Sequence, residues 1–138
     1  SIQPLLVQRS VVRLAGERAA RRQAHWHGVA VAACEQCGRN RVPVVHPPLE
    51  FAAWLRALAS GPAGGGGRWV LSLAAGAERT LPVQDADEPL TLLSGPEGGL
   101  TPDEEAAARA AGFRPLSLGE RVLRAETAPL AALARWAQ

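Results

Sequence analysis

Three stretches of this chain carry residue types at spacings that could do chemistry. Cys34-Glu35-Gln36-Cys37 has the CxxC spacing of a dithiol or of half a zinc site. No second CxxC exists, and His25 and His27, two apart in a helical stretch, point to different faces. Four converging ligands are therefore not assembled, and no metal is expected. The pair also closes a helical segment, whereas a redox CxxC follows a strand and opens a helix, so it reads as packed or free thiols. Ser60 to Gly67 (SGPAGGGG) resembles a phosphate loop only in its glycines. It lacks the Lys-Ser/Thr of that motif and precedes a strand, so it reads as a surface loop. The third stretch, Gly95-Pro96-Glu97-Gly98-Gly99, places three glycines in five residues, which lets the backbone approach a ligand closely.

The elements around this loop position it. Leu90 to Leu93 is a short apolar run that reads as a buried strand. After the loop, Thr101 reads as an N-cap, Pro102 as N1 and Glu104 as N3, a capping box, with the helix running to about Ala111 and Gly112 at C′. Phe113 to Leu118 is the next strand, Gly119 breaks it, and Thr127 to Trp136 closes the chain as a helix. A strand opening into a glycine loop and then a helix is the ligand-binding geometry of an open parallel sheet.

Upstream, Leu5 to Val12 reads as a strand, and Ala15 to Cys37 has helical spacing with Ala19, Trp26, Val29, Ala30 and Ala33 near one face. Val42 to His46 reads as a short strand, Leu49 to Ala59 as a helix and Arg68 to Leu73 as a buried strand. The turn Ala74-Ala75-Gly76 is expected to form a ligand wall, and Glu78 to Asp87 reads as a polar connection. Strand and helix alternate, which predicts an α/β fold with a mostly parallel sheet flanked by helices.

Length fits one domain: 138 residues, about half of them apolar. All fifteen basic residues are Arg, and the net charge of +2 is too small to announce nucleic-acid binding. Their distribution says more, because Arg9, Arg13, Arg18, Arg21, Arg22, Arg39 and Arg41 crowd the first third. No run is long enough to span a membrane, no secretory signal is present, and two cysteines favour a reducing cytoplasm. The chain starts at Ser1, so it is expected to be a fragment of a longer protein.

GPEGGLTPDE, LSLGERVLRAETA and ACEQCGRNRVP together resemble the bacterial 16S ribosomal RNA (uracil-N3) methyltransferases of the SPOUT superfamily, in the family's order. The resemblance implies an α/β-knot methyltransferase domain with a C-terminal trefoil knot over Leu116 to Gln138, a homodimer, and no covalent nucleophile. It implies transfer of a methyl group from S-adenosylmethionine (SAM) to N3 of U1498 in 16S ribosomal RNA of the small ribosomal subunit. Leu93, Gly95, Pro96, Gly98, Leu116, Leu118, Gly119 and Leu123 would wall the cofactor, with Leu73, Ala74 and Gly76 as the third side. Arg124 and Arg121 would stabilise the anion that forms as N3 loses its proton, and Glu126 would orient Arg124, accept a proton or cap the last helix. Glu97 would brace the loop or meet SAM's cationic end; Asn40 and Arg41 would approach RNA or the SAM pocket, and Arg9 is a further candidate for RNA contact. Family members carry an N-terminal PUA-like RNA-binding barrel followed by a first strand and helix, and this chain is expected to begin after both. Two other readings fit the residues: a SPOUT methyltransferase acting on another ribosomal or transfer RNA site, and a SAM- or RNA-binding module without turnover.

Overall fold

The computed structural model describes residues 1–10, 16–60, 66–79 and 88–136. The expectations for residues 11–12, for most of the SGPAGGGG loop, for most of the connection to Asp87 and for Arg13 lie outside these. The chain forms two compact units: Ser1–Leu6 with Ser10–Trp54, and Val7–Arg9 with Leu55–Gln138.

In the first unit, β1 (Leu5–Leu6) pairs in parallel with β2 (Leu49–Glu50). Helix α1 (Gly16–Cys37) spans the expected stretch. Its inward positions are Ala19, Gln23, Trp26, Ala30 and Cys34, at intervals of three and four, whereas Val29 and Ala33 face outward. Gln23 Nε2 donates to the Val45 carbonyl at 2.9 Å, and Cys34, Val45 and Phe51 are buried. Val42 to His46 is not a strand. Only Val45 forms a bridge, to Ile2, through Ile2 N to Val44 O and His46 N to Ile2 O. Pro43, Pro47 and Pro48 supply no N–H, so a ladder cannot extend in either direction. Leu49 and Glu50 are strand, not helix, and α2 begins at Phe51 and ends at Ser60. Cys34 is buried and its thiol donates to the Arg41 carbonyl, while Cys37 is exposed; both are free.

The second unit is built on a three-stranded parallel sheet in the order β4-β3-β5: β3 (Gly67–Leu71) in the centre, β4 (Leu90–Leu93) and β5 (Arg114–Leu116) at its sides. Helix α3 (Pro102–Ala110) lies between β4 and β5 in sequence, and α4 (Thr127–Trp136) follows β5. The central strand supplies Trp69 and Val70 to the core, joined by Leu93, Ala108, Phe113, Leu116 and Ala132. Complete burial of such side chains from a short sheet contributes roughly 1.5–3 kcal/mol each for the larger ones. Arg114 stacks over the Trp69 ring at 4.4 Å and forms a two-pronged pair with Glu78, at 2.8 and 2.6 Å. Trp136 packs its ring 6.5 Å from that of Trp69. The observed fold is α/β with parallel sheets and flanking helices.

Candidate functional site

The β4–α3 junction forms as its residues dictate. Thr101 is the N-cap: its Oγ1 accepts from Glu104 N at 3.2 Å, and Glu104 Oε2 accepts from Thr101 N at 2.8 Å. The other Glu104 oxygen accepts from Gln8 N at 2.8 Å, tying Val7–Arg9 to the helix start. Within the loop, Gly99 N donates to Pro96 O at 2.8 Å, closing a turn. Two glycines are needed for the turn itself. A Cβ on Gly95 would sit 2.9 Å from Leu100 N, and Gly99 has φ +67°. A Cβ on Gly98 would meet the aliphatic stem of Arg9 at 3.4 Å.

Arg9 holds this loop. Its Nη1 donates to the carbonyls of Gly98 at 2.6 Å and Leu100 at 3.4 Å. The sequence reading makes Arg9 an RNA contact; in the structure its guanidinium is bonded to the glycine loop.

A cavity of about 420 Å³ opens beside the loop. One wall is Ser94 to Leu100, a second is the end of β3 from Leu71 to Ala74, and a third is Leu116, Leu118, Gly119 and Arg121 to Leu123. Arg9, Glu105, Ala125 and Ala128 complete it. Of the residues expected at a cofactor, Leu73, Ala74, Gly95, Pro96, Gly98, Leu116, Leu118, Gly119 and Leu123 line this one cavity, as does Arg121.

Six expected site residues do not line it. Leu93 is only 3% exposed and belongs to the sheet core, where it pairs with the fully buried Val70 of the central strand. Gly76 stands beyond the lining turn with φ +85°, where it ends the turn closed by Ala77 N to Ala74 O. Arg124 and Glu126 are exposed at the start of α4, and the Arg124 carbonyl accepts from Thr127 N and Ala128 N, both at 3.0 Å. Asn40 and Arg41 are exposed in the first unit, after α1.

Sequence reasoning passed over Ser72 and Glu105. Ser72 Oγ donates to Glu105 Oε1 at 2.6 Å and accepts from Ala74 N at 3.0 Å. The available signal was a lone hydroxyl inside the apolar run RWVLSL. Buried hydroxyls need partners, and the sequence does not show which residue supplies this one.

Comparison with known proteins accords with this geometry. An RNA methyltransferase domain family model matches residues 1–137. Ribosomal RNA small subunit methyltransferase E of Synechocystis is 37% identical over 142 residues, covering 98% of this chain and 43% of that protein. The Bacillus subtilis protein of the same name is 32% identical, covering 94% and 52%. A Neisseria gonorrhoeae ribosomal RNA small subunit methyltransferase E solved bound to S-adenosyl methionine superposes with a TM-score of 0.82 at 38% identity, over 98% of this chain and 53% of that one. A Legionella pneumophila protein solved in complex with the cofactor SAM gives 0.85 at 35% identity, with the same coverage. The chain thus spans about half the length of the relatives it matches. The match of the family model over almost every residue, on a parallel α/β fold with a cavity walled by the two family motifs, shows that this chain belongs to the RNA methyltransferase domain family, among relatives of the ribosomal RNA small-subunit methyltransferase E type.

Proposed function

We propose that this chain is the cofactor-binding part of an enzyme that methylates 16S ribosomal RNA of the small subunit at N3 of a uracil, U1498, with SAM as donor. The observation that carries the reading is the cavity between the Gly95–Gly99 loop, the end of β3 and the Leu116–Leu123 segment. Its volume falls within the roughly 300–1,000 Å³ of small-molecule sites. Its walls suit SAM: backbone polar groups in a glycine turn for the adenine edge, and Leu116, Leu118 and Leu123 for the apolar faces. When bound, SAM supplies a methyl group on a sulfonium sulfur that is already a good leaving group.

The chain's own residues do the rest. Arg121 lines the cavity, and its guanidinium would stabilise negative charge on the uracil oxygens as N3 loses its proton. Arg124 would act in the same way from the start of α4, with Glu126 orienting it or taking the proton. Asn40 and Arg41 would meet RNA. Leu130 and Leu133 are exposed on α4 and would pack against a second copy in a homodimer. The segment from Leu116 would pass through a loop as the trefoil knot of the SPOUT superfamily. Among the described residues no helix is long and apolar enough to cross a membrane, and the enzyme would work in the cytoplasm on assembling ribosomes.

One observation favours a second reading. Arg124 and Glu126 lie outside the cavity lining, which suits a SAM-binding module that does not turn over. Labelled SAM with undermethylated small subunits separates the two. The proposal expects one methyl group, located by mass spectrometry on N3 of U1498. SAM binding without label in RNA would favour the module, and label on another nucleotide would overturn the assigned target.

A further inference from the structure

Ser72 and Glu105 line the cavity but take no part in the reading above. Ser72 follows β3 and is 8% exposed. Its N–H is spent on the Leu116 carbonyl at 2.9 Å, which fixes its backbone to β5. Its hydroxyl bridges two elements, donating to Glu105 Oε1 on α3 at 2.6 Å and accepting from Ala74 N at 3.0 Å. Glu105 Oε1 also accepts from Arg109 Nη2 at 3.3 Å, one helical turn on.

A serine hydroxyl has one proton and rotates freely until something takes that proton. A carboxylate acceptor makes the bond short and about twice as strong as a neutral one. With its proton held by Glu105, Ser72 presents its lone pairs to Ala74 N and closes a Ser-type turn. The wall beyond has little packing to hold it, since Leu73 is 70% exposed and Ala74 is exposed as well. The shape of that wall therefore depends on hydrogen bonds: those of Ser72 at its start and the Ala77 N to Ala74 O turn at its end.

We propose that Glu105 and Ser72 are positioning residues for the cofactor. Glu105 fixes the Ser72 hydroxyl, Ser72 fixes the Ala74 amide, and the Leu73–Ala74 wall is held in the shape the ligand meets. The proposal rests on the reading that the cavity takes SAM.

The test uses Ser72→Ala, Glu105→Ala, Glu105→Gln, Ser72→Thr and the double Ser72→Ala/Glu105→Ala variant of the intact protein, with two readouts. Hydrogen exchange at the Ala74 amide, without ligand, reads the relay alone. It should speed up about tenfold in both alanine single variants, the worth of one hydrogen bond to a charged partner. Glu105→Gln and Ser72→Thr keep an acceptor and a hydroxyl and should restore slow exchange. In methyl-transfer assays the alanine variants should raise KM for SAM about tenfold and leave kcat at saturating SAM unchanged. The double variant should be no worse than either single one, because the two residues act in series. Fast Ala74 exchange with an unchanged KM would overturn the positioning role while leaving SAM as the ligand. Unchanged exchange and unchanged KM would overturn the relay itself. A wild-type protein that binds no SAM would instead overturn the ligand reading and this proposal with it.

Discussion

The two motif loops of the second unit are held in opposite ways. The segment from Gly95 to Thr101 is closed on itself by Gly99 N to Pro96 O, clamped by Arg9 and ended by a complete capping box. The segment from Ser117 to Glu126 has far less. Ser117 N donates to the Glu78 carbonyl at 2.8 Å, the Ser117 hydroxyl contacts Gly119, an exposed Arg79–Glu120 pair spans 3.4 Å, and Arg124 offers its carbonyl to α4. Val122 is 75% exposed, and Arg121 and Arg124 are exposed as well. The first loop is glycine-rich and the second has a single glycine and two leucines, and the first is tied down by more side-chain bonds to the described residues around it. The first loop is a preformed cradle. The second carries the charged and apolar side chains that suit RNA, cofactor and a second copy.

The largest effect should come from the second loop. Removing one preorganised donor typically costs about 10²–10³ in rate. Arg124→Ala should therefore slow single-turnover methylation of small subunits by that factor at saturating SAM, with SAM affinity nearly unchanged. Lys at this position could supply charge but not the planar fork. Arg121→Ala sharpens the comparison, because Arg121 lines the cavity and Arg124 does not. If Arg121→Ala shows the larger loss in rate, the anion-stabilising role belongs to Arg121, and Arg124 is an arginine that shapes the start of α4.

The first loop should respond in affinity. Arg9→Ala removes the clamp on Gly98 and Leu100. Calorimetry should show SAM binding weakened about tenfold, the worth of one charge-assisted bond. An unchanged affinity would mean that the turn holds its shape without Arg9.

Some of this division was legible in the residues. Thr101, Pro102 and Glu104 announce their cap because each acts on backbone three residues away or less. Leu90–Leu93 and Thr127–Trp136 have the expected bounds: Pro89 and Gly95 bracket the strand, and Pro129 is confined to the first turn of the helix. Long-range partners were not legible. Arg9 is separated from Gly98 by 89 residues, and Ser72 from Glu105 by 33, so neither clamp nor relay has a local signature. The direction of a side chain was also hidden: Leu93 serves the core and Leu116 reaches both core and cavity. The Val42–His46 expectation failed because the three valines suggest a strand while Pro43, with no N–H, interrupts its ladder.

Smaller effects follow in order. Thr101→Ala should cost about 1 kcal/mol of stability, read as a lower midpoint in urea. It should lower SAM affinity less than Arg9→Ala does; a larger loss would make the cap, not the clamp, the main support of the cradle. Cys34→Ser with Cys37→Ser should have the smallest effect, leaving methyl transfer largely intact and releasing no zinc on unfolding. Stoichiometric zinc in the wild-type protein would contradict the reading of these thiols.

The central claim is that both loops wall one SAM site. A crystal structure of the protein grown with S-adenosylhomocysteine, the demethylated product, tests it most directly. The account predicts ligand density between Gly95–Gly99 and Leu116–Leu123, against the Leu73–Ala74 wall. Density elsewhere on the protein, or none at saturating ligand, would contradict it.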